Sequence, residues 1–410
     1  PPLSTVIPPL ILGTATFNTQ YHPSPDLDLS LPILRHALAR GIRAIDTSPY
    51  YGPSERLIGA ALRTLSSEQS PSSPPRLPPR ESLFLITKAG RIGPSTFDYS
   101  PAHIAHSVRR SCARLGTPYL DLVHCHDVEF VPATAVVSAV RELRRLRDSE
   151  NLVRYIGISG YPLPVLAHLA DLILRETGEP IDAVQSYSHF CLQNDRLAHH
   201  DVLRRFRDAR VAVVTNASML SMGLLTSRGA DAGPQATWHP APRPLRIACR
   251  DLADLASAEG EKLEDVALRW AMAAWARRGA EFGSSAPPLP SGRRRVGVSV
   301  MGVTKPSELE ETCRAWEDVI RDLDLRGDNS NNNNNNNNDD DDNNHPITPD
   351  SAFLSPEDAA VLARADKMRR LADDQMRPAL GEWHNYSWES SPPGFVNERR
   401  AFGVLPEDRD

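Results

Sequence analysis

A chain of 410 residues with 40% hydrophobic and 24% charged side chains has the make-up of an ordinary soluble globular protein, with room for one large domain or two average ones. Its net charge of −6 argues against a nucleic-acid partner, and no apolar run approaches the roughly 20 residues that span a bilayer. Five scattered cysteines with no C-x-x-C pair argue against a disulfide framework or a zinc ribbon; with no basic-then-apolar leader, a reducing, cytoplasmic setting is the expectation.

Short apolar runs alternate with longer helical periods along the chain. Strands are predicted at LILG (10–13), IRAID (42–46), LFLITK (83–88), DLVHCH (121–126), YIGIS (155–159), AVQS (183–186), VAVVTN (211–216) and VGVSVMG (296–302). Between them SLPILRHALARG (30–41), SPAHIAHSVRRSCARLG (100–116) and AVVSAVRELRRLRDSENL (135–152) carry apolar residues at helical spacing, and Gly41 and Gly116 suit helix C-termini. The alternation predicts an α/β fold, and eight units favour a closed (β/α)8 barrel over 1–327 rather than an open doubly wound sheet. Pro/Ser-rich stretches at 66–82 and 279–294 read as surface loops. The Asn/Asp tract of 328–345 is expected to be disordered. Residues 346–410 then supply a capped helix from Ser355 and an aromatic-rich tail, which is expected to fold back on the barrel.

Three strand-like runs end in ionisable residues: Asp46, Lys88 and His126, with Tyr51 just beyond the first in DTSPYYG. In a parallel barrel such strand ends converge on one rim. A lysine closing a run as apolar as LFLIT needs a counter-charge, which Asp46 can give. The resulting ammonium is expected to lower the proton affinity of Tyr51 and fit it for proton transfer. His124 shares a face with His126, so a metal-dependent hydrolase built on that pair is one alternative. Later strand ends lack further ligands, and no metal is expected. No G-x-G-x-x-G follows a strand, so a Rossmann site is not indicated. Polar termini that can hold a nucleotide instead are Ser159, Gln185, the run from Asn216 through Ser218, Leu220 and Ser221 to Gly223, and Gly302-Val303-Thr304-Lys305 entering a helix with Glu308, Glu311 and Thr312. Rim position and aromatic character nominate Asn18, Tyr50, Asp127, Trp238 and Trp383 as substrate contacts.

These residues resemble those of the aldo-keto reductases, NAD(P)-dependent enzymes on a (β/α)8 barrel. GIRAIDTSPYYG is similar to the family signature and implies catalytic roles for Asp46 and Tyr51; LITK implies one for Lys88, and the histidine five residues after the aspartate of YLDL implies one for His126. Gln185 matches the family glutamine, whereas the Ser-Asn pair that holds the nicotinamide carboxamide is Ser159-Gly160 here, and Ala217 stands where a stacking tyrosine is usual. NASMLSMGLL followed by TWHPAP is similar to the sugar dehydrogenases of fungi and plants, which oxidise an aldose at C1 to a lactone. That likeness implies D-arabinose as the favoured substrate (giving D-arabinono-1,4-lactone in an erythroascorbate-type pathway), with L-galactose next. Aligned with the family, GVTKPSELEET places Glu308 where NADP-preferring members carry an arginine, which implies NAD. A monomer or homodimer is expected; the alternative within the same fold is a nucleotide-binding regulatory barrel without turnover.

Overall fold

The computed structural model describes residues 1–68, 77–287, 289–290, 293–327, 354–405 and 408. Eight parallel strands close into one barrel in sequence order: β1 (Leu10–Gly13), β2 (Ala44–Asp46), β3 (Phe84–Ala89), β4 (Leu120–His126), β5 (Val153–Gly160), β6 (Ala183–Tyr187), β7 (Val213–Ala217) and β8 (Val298–Gly302). The expected closure holds, with strand ends displaced by one to two residues at most positions. Outside run the helices α1 (Leu27–Ala39), α2 (Ser54–Ser67), α3 (Pro101–Leu115), α4 (Ala133–Glu150), α5 (Leu163–Thr177), α6 (His200–Asp208), α7 (Arg243–Ala258), α8 (Leu263–Arg278) and α9 (Pro306–Arg326). Ser100 caps α3 by accepting from the His103 amide, and Gly116 ends it in the left-handed region at φ 68°.

Strand alternation sorts the side chains into two cores. Ile11, Ala44, Phe84, Ile86, Leu122, Val213 and Val298 fill the barrel interior, which Leu3 and Ile7 plug from below. Their strand neighbours Leu12, Ile45, Leu85, Val123 and Val214 belong to the layer between strands and helices. This parity fixes the direction of the polar strand ends. Asp46 follows Ala44 by two, Lys88 follows Ile86 by two, and His124 and His126 follow Leu122 by two and four, so all four point inward at the carboxyl end.

Ser355 caps α10 (Pro356–Arg370) by accepting from the Asp358 amide, and the chain continues helical to Ala379 through one wider turn at Leu371–Met376. Leu371, Ala372, Met376 and Leu380 join the main core. The tail then crosses the carboxyl-end loops. Gln193 donates to the Trp383 and Tyr386 carbonyls at 2.7 and 3.0 Å, and Trp388 stacks on Tyr161 at 4.7 Å. Phe395 meets Phe97 and Phe130 edge-on, and Asn397 pairs with the Phe97 backbone. Arg399, between Asp98 and Asp408, fastens the end of the tail. The Asn/Asp tract of 328–345 and the middle of the Pro/Ser-rich loop (69–76) lie outside the described residues.

Candidate active site

At the carboxyl mouth Lys88 is the central charge. Its side chain is 2% exposed, and Nζ donates to Asp46 Oδ1 at 2.6 Å and to the Thr47 carbonyl at 3.1 Å. The third proton is left for Tyr51, whose ring centre lies 4.9 Å from Nζ. Burial pulls the lysine pKa down, yet Asp46 and Tyr51 outweigh it and leave the group raised, so the buried pair stands as ammonium and carboxylate.

Tyr51 departs from the expected direction. Burial dominates, with Asp46 and Asp127 adding to it, and pushes the phenol up to about 12 although Lys88 pulls it down. The lysine therefore acts as anticipated but does not win alone; the low polarity around the ring could not be read from neighbouring residues in sequence. In this state Tyr51 holds its proton. Tyr50 is set apart: its hydroxyl accepts from Arg91 Nη2 at 3.1 Å while the guanidinium lies 3.9 Å over its ring.

His126 stands edge-on to Tyr51 at 5.7 Å. Burial, with Lys88 and Arg91 against Asp127, lowers it to about 3, so its imidazole is neutral across the physiological range. Ser48 Oγ accepts from the Tyr50 amide at 3.1 Å and lies 3.0 Å from His126 Nδ1. With the Ser48 hydroxyl donating to Nδ1, the ring proton stands on Nε2, on the side of the Asp127 carboxylate. Asp127 sits 3.6 Å from Nε2 and pairs with Arg91. Against burial, the Arg91 guanidinium holds its carboxyl below the usual range. His124 lies deeper, where Gly157 makes room: a Cβ at 157 would overlap the His124 ring. Burial and Lys88 keep it neutral. Among the described residues no group of three or more His, Cys, Asp or Glu side chains gathers to hold a metal, so the hydrolase alternative has no ligand set there.

The residues nominated for a nucleotide line the ends of β5 to β8. Ser159 and Gln185 are paired across β5 and β6; Gln185 accepts from Thr215 at 3.3 Å. Asn216 donates to the Phe190 carbonyl at 2.9 Å, but its Oδ1 and the Ser221 hydroxyl are buried without a partner. Such atoms cost stability unless a ligand or water meets them, so they fit a polar cofactor entering over β7. Beyond them Ser218, Ser221, Met222 and Gly223 adopt positive φ, while the Leu220 carbonyl accepts from Gly223 and Leu225 to close the turn. At the end of β8, Gly302 is exposed, and the Val303 carbonyl just beyond accepts from Thr16 at 2.6 Å. Glu308 accepts from the Thr304 amide and hydroxyl at 2.8 and 2.9 Å, and Lys305 lies 3.7 Å from its other oxygen. Glu311 is exposed, and the Thr312 hydroxyl is spent within α9 on the Glu308 carbonyl.

Of the substrate nominees, Tyr50 and Asp127 stand beside His126. Asn18 is buried and bonds to Gln20. Trp238 donates to the Gln20 carbonyl at 2.9 Å and meets Tyr21 edge-on, and Tyr21 is an electrostatic neighbour of Tyr51. Trp383 lies over the loop after β6 and packs on Tyr386, whereas Trp388 enters the aromatic stack on Tyr161. Ser48, Tyr21 and Arg91 escaped the sequence reading. Arg91 sits in a loop three residues past Lys88, and only the folded chain turns it back onto Asp127.

Residues 9–326 match the model of the aldo/keto reductase family. The chain is 40% identical over 275 residues to a D-arabinose 1-dehydrogenase of Saccharomyces cerevisiae, covering 67% of this chain and 77% of the relative. It is 32% identical over 264 residues to an L-galactose dehydrogenase of Arabidopsis thaliana, covering 64% and 75%. The chain belongs to the aldo/keto reductase family of oxidoreductases.

Proposed function

We propose that this protein is an NAD-dependent aldose 1-dehydrogenase, acting on D-arabinose in preference to L-galactose and serving erythroascorbate-type synthesis in the cytoplasm. The observation that carries this reading is the buried Lys88–Asp46 pair beside Tyr51, with a neutral His126 edge-on to the same ring. When bound, a nicotinamide would supply the acceptor for the C1 hydride. Tyr51 receives the proton of the C1 hydroxyl, for which it must first be ionised; Lys88 is the charge that favours that form. Asp46 holds the ammonium in place, and His126 orients the sugar oxygen through Nε2–H. Arg91 fixes Asp127 and Tyr50 for the remaining hydroxyls. The identity to a D-arabinose 1-dehydrogenase supports the choice of sugar. An NADH-formation screen over D-arabinose, L-galactose, L-fucose and D-xylose tests it: D-arabinose is expected to give the highest kcat/KM. Nucleotide binding without turnover on any sugar would favour the regulatory barrel.

Glu308 supports NAD over NADP. Its carboxylate already serves the first turn of α9 and lies 3.7 Å from Lys305, so a 2′-phosphate there meets a negative charge and competes with it for that lysine. Glu308→Arg is expected to raise the NADP+/NAD+ ratio of kcat/KM by about tenfold or more, because a guanidinium grips phosphate strongly. An unchanged ratio removes this ground for NAD.

A further inference from the structure

We infer that Glu129 receives the carboxamide N–H of the nicotinamide, standing in for the side chain that position 160 lacks. The inference rests on the nucleotide site proposed above. After β4 the chain turns at Asp127 in the left-handed region, and a single turn at Val128–Phe130 carries Glu129 over the end of β5. One carboxylate oxygen, Oε1, accepts from the Tyr161 amide at 3.1 Å and from Ser390 at 2.8 Å, which ties the tail to this loop. The other, Oε2, is buried with no hydrogen-bond partner. A structural anchor accounts for Oε1 alone; an orphaned buried oxygen calls for a donor.

Gly160 shows where that oxygen sits. A Cβ built on Gly160 would overlap Oε2, so the carboxylate occupies the space a side chain at 160 would enter, directly after Ser159. Ser159, whose hydroxyl rests on the Cys125 carbonyl at a long 3.4 Å, can turn it to an entering ligand, and Glu129 offers an acceptor. A primary amide has one carbonyl to receive the first and an N–H to give the second. A carboxylate in place of that amide meets Oε2 as a like charge.

The test is calorimetric binding of NAD+ and of nicotinic acid adenine dinucleotide, in which a carboxylate replaces the carboxamide, to the full chain at pH 8.5. Burial and Asp127 push Glu129 up to about 7, so it is ionised at that pH. Wild type is expected to bind the acid analogue about tenfold or more weaker than NAD+. Glu129→Gln keeps an acceptor for Tyr161 and Ser390 but turns an amide N–H toward the ligand; its discrimination is expected to fall at least about fivefold, with NAD+ itself bound more weakly because two donors then face each other. Glu129→Asp, which withdraws the carboxylate, is expected to lower discrimination too and serves if the glutamine variant is unstable. Ser390→Ala, which removes only an Oε1 contact, should leave the ratio unaltered. Equal discrimination in wild type and both Glu129 variants overturns the inference while leaving the nucleotide site standing. Failure of wild type to bind either nucleotide removes the site itself and this inference with it.

Discussion

Tyr51→Phe is expected to lower kcat for aldose oxidation by about a thousandfold, within the range for loss of a general base. The dissociation constant for NADH should stay within about threefold, since the lost group acts in the reaction and not in nucleotide binding. The ring itself stays in place: it packs edge-on against His126, and phenylalanine keeps that contact. Steady-state kinetics with D-arabinose, paired with a fluorescence titration of NADH, separates the two quantities. Near-normal turnover in the phenylalanine variant would exclude Tyr51 as the base and shift attention to Tyr50, whose hydroxyl is engaged by Arg91.

Lys88→Met carries a second large effect, on stability as well as rate. Burial already holds the Asp46 carboxyl above its usual range, so without the ammonium it is left at 3% exposure either charged and unmatched or forced to take up a proton, and both states cost stability. Breaking such a pair from one side costs about 3–5 kcal/mol. Adding Asp46→Asn removes the stranded charge, so most of that stability should return. Turnover should not, because the ammonium that favours the tyrosinate is still missing. Chemical denaturation and kcat on the single and double variants read these two consequences separately. Recovery of both in the double variant would make the pair a structural element only.

Much of this arrangement was legible in the sequence because period-two alternation is a local property. Once Ile86 and Leu122 are interior, Lys88, His124 and His126 must be interior as well, and Ala44 does the same for Asp46. The eightfold βα rhythm gave closure by the same route. Contacts made by loops were not legible. Arg91 reaches Asp127, Ser48 reaches His126, and Glu129 meets Ser390 across 261 positions, all through turns whose paths no periodicity encodes. The tail posed the same difficulty: aromatic density pointed to a packed segment, but only the fold distinguishes Trp388 on Tyr161 from Trp383 over the β6 loop. The net proton affinity of Tyr51 was misjudged because the desolvation that sets it comes from the whole enclosure, while sequence displayed only the nearest charge.

The role of the ammonium can be measured through the pH dependence of kcat/KM for D-arabinose oxidation at saturating NAD+. Burial raises Tyr51 and Lys88 lowers it, and the lysine outweighs Asp46 in that balance. The alkaline inflection of the wild-type profile is therefore expected to move upward by about one pH unit or more in Lys88→Met/Asp46→Asn. His126, already lowered to about 3, should add no inflection near 6.5 in either protein. An alkaline inflection at the same pH in both proteins would contradict the claim that Lys88 tunes the tyrosine.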